Sequence, residues 1–160
     1  MAAEGEVDAA IEKLAVAIKT VEAAWDHQIA NWFVAGAYLE AQRVDEGSAI
    51  VEQEIAGIAA GGPARFEADL HRMKGEFILM AGGVLNEAEA AFNSAISIAR
   101  RQQARSFELR ASISLARLLA RQGRRDEART MLAEIYNWFT EGFDTADLKE
   151  AKALLDEWAA

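Results

Sequence analysis

Cysteine is absent from this 160-residue chain, so neither a disulfide framework nor thiol chemistry is available to it. Proline occurs once, at Pro63, and histidine twice, at His27 and His71. Two histidines with no cysteine make a weak inventory for a transition-metal centre, and neither histidine has a histidine or carboxylate neighbour at ligand spacing. Both are read as structural or surface residues, and no metal or cofactor is expected. No apolar run approaches the roughly 18 residues a membrane span requires. The first residues, Met-Ala-Ala-Glu-Gly-Glu-Val-Asp, lack the basic and apolar regions of an export signal. The expectation is a protein of the reducing cytoplasm. Sustained two-residue alternation of β-branched residues is also missing, which argues against a sheet.

Catalytic signatures are equally thin. Gly61-Gly62 and Gly82-Gly83 follow no strand and precede no Gly-Lys-Ser/Thr, so they are not phosphate cradles. Ser94, Ser97, Ser106, Ser112 and Ser114 sit in no Gly-x-Ser-x-Gly elbow. Glu87 and Glu89, two apart on a helix, point away from each other. The expectation is that the chain is not an enzyme.

What is present is helix-forming material. Alanine, leucine, glutamate and arginine dominate, and apolar residues recur at helical spacing in segment after segment. The pattern predicts an all-α chain, one domain over 1–160, with about eight helices near 6–21, 25–41, 44–59, 64–81, 86–103, 106–121, 125–138 and 145–159. Gly61-Gly62-Pro63, Gly82-Gly83 and Gly123 supply the breaks. Asn86 with Glu89 reads as a capping box, and Thr145 as the cap of the last helix.

The helices form pairs and the pairs repeat. The turns Gln42-Arg-Val-Asp-Glu-Gly47, Gly83-Val-Leu-Asn-Glu-Ala88 and Gly123-Arg-Arg-Asp-Glu-Ala128 share a turn residue, an acid or amide, and a small residue five positions on. Gly47, Ala88 and Ala128 lie 41 and 40 residues apart, the period of a stacked solenoid. On these residues, with Ala35, Gly75 and Ala116 as small residues of the first helices and Tyr38, Ile78 and Leu119 as their bulky neighbours, the chain resembles the tetratricopeptide repeat (TPR). It departs from that family in a period near 40 instead of 34, and in having Asn31, His71 and Ser112 where the family has tryptophan.

The resemblance implies a TPR-like right-handed solenoid. The helix at 6–21 is a half repeat, followed by antiparallel pairs at 25–59, 64–103 and 106–138 and a C-terminal capping helix at 145–159. It also implies a concave groove lined by the first helix of each pair. The implied positions are Ile29, Trp32, Gly36, Leu39 and Glu40; Asp69, Arg72, Glu76, Leu79 and Met80; and Arg110, Ile113, Arg117, Ala120 and Arg121. Of these, Trp32, Leu39, Asp69, Arg72, Glu76, Arg110, Arg117 and Arg121 are the expected partner-binding residues. Gly36 and Ser114 stand at two positions where chaperone-tail-binding TPRs need asparagine or lysine, so that clamp is not expected.

Residues 64–158 are similar to something narrower. The runs at 70–76 (Leu-His-Arg-Met-Lys-Gly-Glu), 87–92 (Glu-Ala-Glu-Ala-Ala-Phe), 95–102 and 138–145 (Trp-Phe-Thr-Glu-Gly-Phe-Asp-Thr) resemble the C-terminal helical region of bacterial multidomain signalling proteins. Those proteins join an adenylate or guanylate cyclase module to an AAA-type ATPase. The resemblance implies a regulatory C-terminal arm and carries over neither activity.

Charge refines the partner. The formal net charge is −9, which makes nucleic acid an unlikely target. Yet residues 100–129 hold nine arginines against Glu108, Asp126 and Glu127, a local +6, leaving −15 elsewhere. Arg110, Arg117 and Arg121 share one helix face. They suit a protein or acidic peptide, or, as an alternative, a small anionic metabolite sensed in the groove. The competing reading is a solvated face whose arginines pair with Glu108, Asp126, Glu127 and their neighbours. Trp138 and Trp158 are expected in the core and Trp32 in the groove as an anchor. Gly75 is expected to face Ala88 at close approach. Val7, Ala10, Ile11, Leu14, Ala17, Ile18 and Val21 form a stripe wide enough to suggest a homodimer through the first helix, or a frayed first helix.

Overall fold

The computed structural model describes residues 27–159 together with Ala9, Glu12, Lys13 and Val16. The expected half repeat at 6–21, and the homodimer expected through it, otherwise lie outside the described residues.

Among the described residues there are seven α-helices and no strand. They are α1 (His27–Glu40), α2 (Val44–Ala59), α3 (Glu67–Met80), α4 (Leu85–Gln102), α5 (Arg105–Arg121), α6 (Arg125–Tyr136) and α7 (Ala146–Glu157). None is long and apolar enough to cross a membrane. Each helix packs on the next in sequence. In addition α1 touches α3, α3 touches α5 and α5 touches α7, while the backbones of α2, α4 and α6 do not approach one another. The odd-numbered helices therefore form a continuous row, and the even-numbered ones lie along it individually.

Polar links along that row keep a near-constant sequence offset. Trp32 bonds Asp69 and Arg110 bonds Asp147, each 37 residues on; Glu76 bonds Ser114, 38 residues on. The odd-numbered helices thus meet in one repeated register.

Helix ends recur as well. In α3 the Gly83 N–H donates to the Ile78 carbonyl and the Gly82 N–H to the Leu79 carbonyl, with Gly82 at φ +69°. The end of α5 repeats this through Arg124, Gly123 and their acceptors Leu119 and Ala120, with Gly123 at φ +81°. Glycine reaches this left-handed backbone without the steric cost a Cβ imposes. Gln42 and Gln103 do the same work at φ 56° and 55°, so two ends carry a strain of about 1 kcal/mol. The expected capping box is corrected: α4 begins at Leu85, Val84 is its cap without a side-chain bond, and Glu89 pairs with Arg124 instead. Thr145 does stand at the start of α7, but its hydroxyl donates to the Gly142 carbonyl and caps nothing.

Packing uses small residues opposite rings. An added Cβ on Gly47 would fall 2.1 Å from Phe77 Cζ, and one on Gly75 would fall 2.4 Å from Phe92 Cε1. Both rings are buried, so α2–α3 and α3–α4 approach closely because a glycine leaves room for a phenylalanine. The partner of Gly75 is therefore the Phe92 ring. The main core lies among α4–α7, built on Phe92, Leu109, Leu115, Leu118, Leu119, Leu132 and Leu148; a smaller one joins Ala35, Val51, Leu70, Met73 and Phe77. Trp158 packs against the main core, as expected. Trp138 does not: it is 55% exposed, with the Arg105 guanidinium 5.2 Å from its ring. Helix α6 stops at Tyr136, so Trp138 leaves the apolar stripe that a longer helix would have continued.

Candidate functional site

A groove of about 720 Å³ runs across α1, α3, α5 and the start of α7. Its floor is the repeat register itself, since each helix offers residues of one face. Trp32, Leu39, Asp69, Arg72, Glu76, Arg110 and Arg117 all line it. Arg121 does not, nor do Ile29, Leu79 and Ala120, and Leu79 instead packs against the main core. Neither histidine lines the groove.

At the end where the odd helices begin, the side chains are tied together. Trp32 Nε1 donates to Asp69 Oδ2 at 2.7 Å, and Arg72 Nε donates to Asp69 Oδ1 at 2.5 Å. Asp69 is 1% exposed, and its burial is offset by these two donors. Burial acts against the charge of Arg72, but Asp69, with Glu76 and Asp147, outweighs this and raises its pKa. The Trp32 ring stacks on Phe66 at 4.6 Å and meets Phe33 at 4.8 Å and Phe107 edge-on at 6.2 Å. Trp32 is thus fixed on its faces and at its N–H, and part of the anchoring surface expected of it is already used.

That aromatic cluster also holds the α2–α3 loop. Gln28 donates to the Pro63 carbonyl, and Gln102 Nε2 donates to the Ala64 carbonyl at 2.7 Å. Phe66 meets both Trp32 and Phe107, so one loop is fastened from both neighbouring pairs.

The expected basic end has acidic partners. Arg110 Nε bonds Asp147 Oδ2 at 2.8 Å, and Arg117 Nη2 lies 2.6 Å from Glu150 Oε1. Both carboxylates come from α7, which sequence reasoning treated only as a cap. Extending the Trp32–Asp69 offset of 37 from Arg110 points to Asp147, and that was the missed signal. Four more arginines of the stripe, Arg100, Arg101, Arg105 and Arg124, are paired similarly. Glu108, 2% exposed, accepts from Arg100 and Arg105 at 2.7 and 2.6 Å. Arg101 meets Glu67, and Arg124 bridges Glu89 and Glu127, which raises the arginine pKa and lowers that of Glu127. Arg124 and Glu127 are exposed and Glu89 is only half-buried, so the pairing contributes little to stability.

Sequence reasoning also missed Phe33, Ala37, Gln42 and Met73, which line the groove. Phe33 is 56% exposed and Met80 41%. The groove therefore joins an exposed apolar wall from α1 and α3 to a lattice of paired charges on α3, α5 and α7. Such a surface can hold an extended segment through apolar contact and directed charge.

No protein-family model, no curated protein and no solved structure matches the chain.

Proposed function

We propose that the chain is a non-enzymatic protein-interaction module, a TPR-like right-handed solenoid whose groove holds a segment of a partner protein. The observation that carries this reading is the groove of about 720 Å³ lined by four successive odd-numbered helices, with Phe33 and Met80 open to solvent beside ordered charges. Apolar side chains left exposed in a concave site are where binding free energy is available. The continuous odd-numbered row and the repeated offset of 37 support the solenoid. The role of regulatory C-terminal arm in a larger bacterial signalling ATPase or cyclase rests on the resemblance of residues 64–158. A second reading, a sensor of a small anionic metabolite, draws on Arg110 and Arg117, although both already hold carboxylates.

The test is a photo-crosslinker, benzoylphenylalanine, placed at Phe33 or, as a control, at Gln53 on α2, in a lysate of the organism that encodes the chain. A discrete adduct is expected from position 33 alone, suppressed when Gly36→Trp fills the groove. Adducts that form equally from position 53, or that ignore the filled groove, would refute the reading.

A further inference from the structure

The groove contains more negative charge than its own arginines can match. Five carboxylates line it (Glu40, Asp69, Glu76, Asp147 and Glu150) against the three guanidiniums of Arg72, Arg110 and Arg117, a net charge of −2. Each arginine has a carboxylate partner: Arg72 with Asp69, Arg110 with Asp147, Arg117 with Glu150. The two acids left over are Glu40 and Glu76. Glu76 accepts the Ser114 hydroxyl at 2.5 Å, a neutral partner, and Arg72, though near enough to feel its charge, directs its Nε to Asp69. Glu40 is exposed and has no partner among the described residues.

Position sharpens the count. Glu40 is the last residue of α1, and Glu76 stands in the closing turns of α3. The contacts Trp32–Asp69 and Gly36–Met73 share one offset, so the two helices run in the same direction and end at the same side of the groove. Both point the negative end of the helix dipole there, and neither carries a basic residue in its last turn. Exposed Met80 closes α3 about one turn beyond Glu76, and exposed Phe33 lies two turns before Glu40 on the same face of α1, about 10 Å along its axis.

We propose that the groove selects a peptide segment bearing a basic side chain and, about three residues from it, a large apolar one, with the base directed to Glu40 and Glu76. This rests on the reading of the groove as a peptide site. A lysine or arginine lays its alkyl stem along Met80 while its charged head stays at the carboxylates. The apolar residue farther along the segment covers Phe33. An acidic segment meets the opposite situation: it must displace Asp147 or Glu150 from arginines already satisfied and bring further negative charge beside Glu40 and Glu76. The arginines of the groove therefore do not by themselves call for an acidic partner, because α7 supplies the counter-charge of Arg110 and Arg117.

Fluorescence anisotropy with two labelled nine-residue peptides tests this, one with Leu-Lys-Leu-Lys at its centre and the other with Leu-Glu-Leu-Glu. The lysine peptide is expected to bind about tenfold more tightly. Glu40→Gln with Glu76→Gln should weaken it about fivefold. Asp45→Asn with Glu52→Gln removes the same charge from exposed positions on α2 outside the groove, and should change binding by less than about twofold. Circular dichroism checks that each variant keeps its helicity, and Glu40→Gln alone, at an exposed helix end, replaces the pair if Glu76→Gln does not fold. Equal or tighter binding of the glutamate peptide overturns the charge selection and leaves the groove reading standing. An equal loss in the α2 control also overturns it, by showing attraction to net charge alone. Absence of binding by both peptides up to about millimolar concentration removes the groove reading itself.

Discussion

Helices α5 and α7 belong to the same row and differ sharply in burial. Ten residues of α5 are buried, including Glu108, Ser112 and Ser114, whereas α7 buries only Leu148 and Ala151. Their apolar content does not explain this, since α7 also carries Leu154, Leu155 and three alanines within twelve residues. The neighbours do: among the described helices α5 touches α3, α4, α6 and α7, while α7 touches only α5 and α6. Burial in this molecule is thus set by how many helices flank a position. Even a carboxylate can be enclosed in α5, provided that Arg100 and Arg105 reach it.

The sharpest way to break that comparison is a matched pair of truncations. Leu118→Ala in α5 removes a side chain that is 2% exposed and is expected to cost about 3 kcal/mol. Leu155→Ala in α7, half-buried, should cost about 1 kcal/mol. Urea denaturation measures both, and equal losses would show that flanking does not govern the energetics. A somewhat smaller effect comes from overfilling. Gly75→Leu forces atoms against the enclosed Phe92 ring and is expected to destabilise by about 1–3 kcal/mol. Gly57→Ala, on an α2 surface with nothing within 4 Å, should instead stabilise by about 0.5–1 kcal/mol. A thermal midpoint unmoved by Gly75→Leu would contradict the close α3–α4 approach.

The smallest effect separates flanked from open positions by pH. His71 is half-buried in α3. Burial, with Lys74 adding to it and Glu67 opposing, holds its pKa below the ordinary 6.5. The folded chain therefore takes up this proton less readily than the unfolded chain. The contribution is complete above the ordinary value and is lost as pH falls through the folded one. His71→Gln should flatten the stability profile between about pH 7 and pH 5. An unchanged profile would assign that slope to other groups.

The helices were readable in the sequence because their breaks are chemically distinct. Gly82 and Gly123 take backbone that few other residues accept, and α2, α5 and α7 begin or end within a residue or two of the expected boundaries. Shared faces were readable for the same reason: helical spacing alone places Arg110 with Arg117, and Asp69 with Arg72 and Glu76. Partners across helices were not readable. The ring that fills the space above Gly75 lies on another helix, and choosing Phe92 over Ala88 needs the actual axial offset. Arg121, grouped with Arg110 and Arg117 by spacing, lies at the end of α5 beyond the reach of the groove. Trp138 was assigned to a helix that ends two residues before it.

The missing backbone contacts among α2, α4 and α6 have a mechanical consequence. A stack joined along one row and open along the other bends as a beam whose neutral axis follows the joined row. Flexing it opens or narrows the gaps between even-numbered helices, where the one ion pair described is the exposed Arg124 bridge from Glu89 to Glu127, and leaves the spacing of α1, α3, α5 and α7 almost unchanged. The molecule can then adjust its curvature to a partner while the width of the channel, and with it the distances among Asp69, Arg110 and Asp147, stays fixed.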